Sequence, residues 1–414
     1  MFPRIMPMAP MAPQSRIGAG ASVGDQSLFQ ILFSGGKTAA GTVVTQHSAI
    51  NLPVVYAAIG IIADSLAMLP IEVLQKKDGK VQQVSSHPAS YLLNMRPNDF
   101  MSAFTLRQTA AYHTLGWGNG YQEIEIDKDG VIKALWPLLP DSTRARKSPN
   151  KDALIYSTTV SGKTFDIDDD RICHVPALGF DGYTGYSPIS LARQAIGMGL
   201  AMEEFGAKFF ANDAKSGGFL QHPGKLSPLA KDNIRESTQE QGGLDNAHRI
   251  KVLEEGMKFV QTTIAPDDAQ FLGSREFQIS EIARIFRVPL PLLQAMEKST
   301  SWGTGVETMM LGFITWTLQP WGTKIEQEYN HKIFTTKEKA DGLFMRLNYR
   351  ALLRGDMAAR KEYYKAGIND GWMTRNEVRE KEDMQPLPGL DEPLQPLNMT
   401  KAGEDTNAPV QPDN

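Results

Sequence analysis

The stretch MEKSTSWGTGVETMM, residues 296–310, holds hydroxyls, a lysine and two glycines between two strongly apolar segments. A glycine-rich loop running into a helix is a common cradle for phosphate, because backbone N–H groups converge on the anion. A P-loop needs GxxxxGK followed by Ser or Thr. Here Gly303 and Gly305 are followed by Val306 and Glu307, so no lysine sits where it could meet phosphate and an acid stands at the helix start instead. A nucleotide site is therefore not expected. Two readings stay open, a surface linker or a loop with a task of its own. Structureless connections longer than ~12–15 residues are uncommon inside a domain and are often functional.

The remaining reactive residue types are scattered. Ser187 in GYSPIS lacks the GxSxG of a nucleophile elbow, and Pro188 after it reads as the first residue of a capped helix. His47, His87, His113, His174, His222, His248 and His331 form no HExxH and do not pair with Cys173, so no zinc site is expected. Asp166, Asp168, Asp169 and Asp170 lack the glycine and distal glutamate of a calcium loop and read as a solvated turn. Arg346, Arg350 and Arg354 recur every four residues, but GLFMRLNY alternates like a strand and Gly355-Asp356 breaks any helix. A salt-bridged surface is the plain reading there, with contact to a nucleic-acid backbone as the other. No catalytic residue, cofactor or metal is expected.

The elements that carry these residues are legible in outline. LPVVYAAIGIIADSLAML, 52–69, has the pattern of a buried helix with proline in its first turn. IEVLQKKDGKVQQV and YQEIEIDKDGVIKALWPL are strand pairs with DG at their turns. SAFTLRQTAAYHTLGW is a helix, and a further strand lies in KTFDIDDDRICHVPA. Residues 187–214 read as one long helix, 227–241 as a polar helix, 249–264 as a hairpin around Glu255-Gly256, and 265–286 as another helix. A helix over about 305–333 follows the loop. Its apolar residues cover more than one ~100° stripe, and Pro320 predicts a kink in it. Such a helix needs neighbours on several sides, which favours an oligomer. Later come a strand at 342–349, a helix with Asp356 at its N-cap and Gly367 past its end, and a capping box from Thr374 to Glu377.

Composition narrows the class. The chain has 414 residues, enough for two or three domains, and its 41% hydrophobic and 22% charged residues are those of a soluble globular protein. Its net charge of −4 equals that of residues 387–414 alone, so the rest is near neutral and carries no global nucleic-acid signature. One cysteine excludes an internal disulfide. The proline-broken N-terminus is not expected to be a signal peptide. The longest apolar helical run, 309–321, is too short at ~1.5 Å per residue to cross a ~30 Å bilayer core.

Taken in order, VVYAAIGIIADSLAMLPIEV, HPASYLLNMRPN, GNGYQEI, LWPLLP, GYSPI, KFFANDAKSGGFL, VLEEGMKF, EIARIFRVPLPLL, QPWGTKIEQEYN and LRGDMAARKEYY…TRNEVRE span nearly the whole chain. Together they resemble the portal proteins of tailed bacteriophages, in the short siphophage-type form. The resemblance implies an α+β fold assembled as a ring, usually of twelve copies, at one capsid vertex. Residues 1–50, rich in Met, Pro, Gly, Ser and Ala, read as a flexible arm, and the resemblance implies an α/β wing at 51–186 completed by 334–350 and a helical stem at 187–215 and 265–287. A small α/β clip would occupy 216–264, a tunnel loop 288–304, a long kinked tunnel helix 305–333, a small helical crown 351–395 and an acidic tail 396–414. Lys298, Ser299, Thr300, Ser301, Trp302, Gly303, Thr304 and Gly305 would then face the channel, sliding against double-stranded DNA without reading its sequence. Implied partners are further copies of the chain, the large terminase, the head–tail adaptor and the major capsid or scaffolding protein, with no membrane. The place is the virion, after assembly in the bacterial cytoplasm. The portal itself would not be an enzyme. The alternatives are another structural virion protein, such as an adaptor or capsid component, and a hydrolase using Ser187.

Overall fold

In the computed structural model the described residues are 37–128, 130–149, 153–211, 218–225, 257–261, 268–294, 304–355, 357–382 and 384–394, with isolated helical residues between 228 and 234. They divide into two compact units, one ending at Leu347 and one beginning at Asn348.

The first unit starts with a short helix α1, Gln46–Ala49, closed by a capping box from Thr45 to Ser48. Helix α2, Pro53–Met68, follows. Its buried residues Val55, Ala58, Ile59, Ile62, Ala63 and Leu66 fall at helical spacing, which buries one whole face. Strands β1, Ile71–Lys77, and β2, Lys80–Gln83, meet at Asp78 and Gly79, both left-handed at φ 51° and 75°. That is the twist a two-residue DG hairpin turn requires. Helices α3, Pro88–Asn94, and α4, Ala103–Trp117, come next. Ser102 Oγ accepts from Thr105 N to cap α4, and Gly118 at φ 87° ends it.

Strands β3, Asn119–Ile126, β4, Ile132–Leu138, and β8, Ile172–Pro176, form an antiparallel sheet with β3 in the centre. Strands β5, Thr143–Lys147, β6, Leu154–Val160, and β7, Lys163–Asp168, form a second one. Tyr121, Tyr156 and Ile172 are buried together where the two sheets meet. The Tyr121 and Tyr156 rings pack edge to face, 5.8 Å between centroids.

The helix expected over 187–214 is two. Helix α5, Pro188–Leu191, is capped by Ser187, and α6, Arg193–Ala211, follows a break at Ala192. Strands β9, Gly218–Gln221, and β10, Lys258–Gln261, pair antiparallel, while the expected turn at Glu255-Gly256 lies outside the described residues. Helix α7, Asp268–Phe286, packs on α6 and on α2. After it come a 3-10 turn, Leu290–Leu293, helix α8, Thr304–Phe313, a π-helical segment, Ile314–Leu318, helix α9, Gln319–Lys332, and α10, Thr336–Ala340. Strand β11, Leu343–Leu347, then pairs with β1, so residues some 270 positions apart share one sheet.

The second unit has a 3-10 helix, Tyr349–Gly355, then α11, Met357–Asn369, and α12, Arg375–Lys381. Helix α11 passes Gly367, expected just beyond its end, and Gly371 at φ 72° supplies the left-handed turn after it. The capping box at Thr374 and Glu377 is present. Buried Asn376 binds the Leu387 carbonyl at 2.8 Å, Leu387 N at 2.9 Å and the Asp391 carboxylate at 2.7 Å, folding residues 384–391 back onto α12. No helix of the described residues is long and apolar enough to cross a membrane.

Candidate functional site

The segments on either side of the loop expected at 288–304 are held by specific local chemistry. Helix α7 stops at a left-handed Arg287, φ 56°. Val288 N donates to Ala283 O at 2.9 Å and Arg287 N to Arg284 O at 3.2 Å, the paired bonds of a Schellman end. Arginine there costs about 1 kcal/mol relative to glycine, so something else holds the turn. The Arg287 carbonyl accepts from the Thr317 hydroxyl at 2.7 Å, and Thr317 is almost fully buried. The following 3-10 turn ends at Gln294, again left-handed, whose N–H donates to Leu290 and Pro291 carbonyls.

Thr317 sits inside the π segment, and Pro320 explains why that segment exists. Proline has no N–H to give the Trp316 carbonyl and crowds it, so the wider π turn relieves the clash. Phe313, Ile314 and Leu318 are buried on its inner side with Phe286 and Val288, while Trp316 is left exposed. Helix α2 packs against both the 3-10 turn and the π segment, so one helix backs both anchors. Replacing Thr317 by Val keeps the shape and removes the hydroxyl. The expected cost is about 1–3 kcal/mol for orphaning the Arg287 carbonyl. Urea unfolding of Thr317→Val beside Thr317→Ser, which keeps the donor and drops the methyl, checks it; a loss in Thr317→Ser with none in Thr317→Val would mean the methyl carries the stability.

Helix α9 fixes the C-terminal side. Its residues at four-residue spacing reach β8 and the turn before it. Lys324 Nζ donates to Pro176 O at 2.8 Å, Glu328 accepts from His174 N at 3.1 Å, and Lys332 Nζ pairs with the Asp169 carboxylate at 2.5 Å. Another face holds β11, with Glu326 accepting from Leu347 N at 2.6 Å and Asn330 binding Met345 N and O. Tyr329, buried, donates to Gln122 Oε1 on β3 at 2.6 Å. Burial raises the Glu328 and Glu326 carboxyls and lowers the Lys324 ammonium. The helix behind the loop is thus bonded into two sheets.

Of the residues singled out in the loop, Lys298, Ser299, Thr300, Ser301, Trp302 and Gly303 lie outside the described residues, and Thr304 and Gly305 open α8. Ser187 has no base. Its hydroxyl donates to Gly116 O at 2.6 Å and accepts from Ser190 N at 3.1 Å, which is the work of a cap. Asp166 is tied to Arg146 and Ser157 at 2.6 Å each, and Arg346 pairs with Glu72 at 3.5 Å. No group of three or more His, Cys, Asp or Glu among the described residues could hold a metal ion. Sequence reasoning missed Thr317 and Lys332; a buried polar residue beside a helix-interior proline was the available signal for the first.

The family described as "Phage portal protein" matches residues 53–383, from the start of α2 to just past α12. This chain belongs to the phage portal protein family. A probable portal protein of Streptomyces phage phiC31 is 32% identical over 404 residues, covering 92% of this chain and 85% of the relative. The portal protein of Enterobacteria phage HK97 is 32% identical over 351 residues, covering 84% of this chain and 82% of the relative. Among solved structures, a chain in the neck of a native gene transfer agent particle computed with C12 symmetry superposes with a TM-score of 0.53 at 21% identity. It covers 87% of this chain and 93% of its own length, which shows a shared fold. Family membership makes the chain a portal, the component of a phage capsid vertex.

Proposed function

We propose that the chain forms a ring, with twelve copies the expected number, through which double-stranded DNA enters and leaves the capsid. The observation that carries this is the family match over most of the chain, joined to the Thr317–Arg287 bond and the α2 packing that tie the segment before the loop to the helix after it. The twelvefold symmetry of the neck particle that shares the fold supports the copy number. In this reading residues 51–186 with 334–350 are the wing, 187–215 and 265–287 the stem, and 216–264 the clip. The tunnel loop is 288–304, its helix 305–333, and 351–395 the crown. The clip docks the large terminase and later the head–tail adaptor, and the capsid or scaffolding protein surrounds the ring. Assembly takes place in the host cytoplasm and the product stays in the virion. The chain does no catalysis of its own; ATP hydrolysis belongs to the terminase.

Native mass measurement with negative-stain electron microscopy tests the ring. Twelve copies around a central hole are expected, and a chain that stays monomeric at every concentration would overturn the reading. Within it, Lys298 meets passing phosphates, while the near-neutral remainder of the chain leaves the duplex free to slide. Lys298→Glu is expected to lower, several-fold, the fraction of filled heads that keep their genome. Unchanged retention would remove Lys298 from the channel role.

A further inference from the structure

The loop from Ala177 to Tyr186, between β8 and α5, is tightly constructed. Tyr186 N donates to Leu178 O at 2.9 Å and closes it. The Asp181 carboxylate accepts from Tyr183 N at 3.0 Å and Thr184 N at 2.7 Å. The buried Asn119 amide clamps Gly185 from both sides, donating to its carbonyl and accepting from its N–H at 2.9 Å each. A Cβ on Gly179 or Gly185 would fall 1.9 or 2.0 Å from a backbone oxygen, so neither position tolerates a side chain. Yet this loop holds Phe180 91% exposed and Leu178 76% exposed. A loop pinned at this many points has no slack to blame for the exposure. Leaving two such side chains in water is costly, because apolar surface is driven to bury.

A matching hollow lies elsewhere on the same unit. Helices α6 and α7 are tied by Gln278 Nε2 donating to Ala195 O, and between them runs a groove of about 780 Å³. Leu191, Met198, Phe277 and Ile285 line it and are themselves partly exposed, Phe277 at 60% and Leu191 at 54%. That volume is within the ~300–1,000 Å³ of sites that enclose an apolar body. The chain's own Phe180 does not fill it, since Phe180 is in solvent.

We propose that Phe180 and Leu178 of one copy seat in the α6–α7 groove of the next, a head-to-tail contact repeated around the ring. The proposal rests on the ring reading and names the contact that closes it. Area supports a second copy as the occupant. At ~200 Å² per large side chain, the two projecting and four lining residues offer on the order of 700 Å² of apolar surface. That is close to half of the ~1,600 Å² that a standard interface buries. Logic supports it too. Every copy carries one projection and one groove, and only a heterologous contact satisfies both in all copies while closing a ring. A different partner would cover one of them and leave the other in water.

The test uses Phe180→Asp and Phe277→Asp, at exposed positions where folding is not at stake; circular dichroism confirms this. Each alone is expected to lower the yield of rings at least tenfold. Mixed in equal amounts, the two should give one-to-one dimers, because one intact projection and one intact groove remain. A Phe180→Cys, Phe277→Cys double variant treated with a short bismaleimide should give a ladder of cross-linked copies, since the native Cys173 is buried. Wild-type yield of rings from Phe180→Asp, full rings from the mixture, or assembled rings that cross-link only within monomers would each overturn the contact while leaving the ring standing. A wild-type chain that never assembles would overturn both.

Discussion

Taking the unassembled chain from pH 6.5 to pH 4.5 is expected to remove on the order of 4 kcal/mol of stability, a large part of a typical ~5–15 kcal/mol. Two buried histidines cause it. Burial holds His113 at a pKa of about 4 and His174 at about 3, with nearby carboxylates pulling weakly the other way. His174 is satisfied as the neutral ring: Nε2 is 3.0 Å from the Asn119 amide oxygen and Nδ1 is 3.3 Å from the Tyr156 hydroxyl. His113 Nδ1 is buried without a hydrogen-bond partner. In the unfolded chain both titrate near 6.5. Between about pH 6 and pH 4 the unfolded state therefore binds about two more protons than the native state. Stability falls with falling pH at ~1.4 kcal/mol per unit for each group. It is fully present above the unfolded value and lost as pH drops toward the folded ones. Glu328, raised by burial, works in the opposite sense and trims the slope. Urea midpoints across this range measure it, and His113→Leu should remove roughly half the slope. A slope untouched by that substitution would show that other groups carry the acid sensitivity.

Gly118→Ala is expected to cost more than about 3 kcal/mol and to leave little folded chain at physiological temperature. Gly118 ends α4 at φ 87°, and a Cβ there would lie 2.4 Å from the Tyr186 carbonyl carbon. The chains cross so closely that a Cβ on Gly185 would in turn lie 2.0 Å from Gly118 O. Backbone meets backbone on both sides, so no side chain can give way. Gly79→Ala is the control: φ is 75° but nothing stands within 4 Å, and the cost should be about 1 kcal/mol. Thermal unfolding of the pair separates steric crossing from backbone conformation; similar losses would mean that the crossing is looser than it looks.

Local chemistry made several of these elements readable in advance. Ser187 before Pro188, Thr374 before Glu377 and the Asp78-Gly79 turn all act within four residues, and all are present as the sequence implies. The helix over Pro53–Met68 was equally plain, because its apolar spacing is what its burial demands. The break at Ala192 was not, since no glycine or proline marks it. Strand β11 could be recognised as a strand, but its pairing with β1 depends on 3-dimensional closure that short-range pattern does not encode. Pro320 announced a kink, yet not that Thr317 would hand its hydroxyl across to Arg287. The asparagine clamp on Gly185 left no trace either, because Asn119 lies 66 positions away.

The π segment at Ile314–Leu318 amounts to one surplus residue lodged in an otherwise α-helical rod. Each residue of an α-helix turns it by ~100°. Everything from Thr304 to Phe313 is therefore out of phase, by about that angle, with what an uninterrupted helix leading into Gln319–Lys332 would present. A single-residue deletion in this segment would reset the phase and aim the same side chains a quarter-turn away, with α9 and its bonds to the sheets unchanged. The facing of Thr308–Phe313 relative to α9 is thus set by a count of residues as much as by their identity.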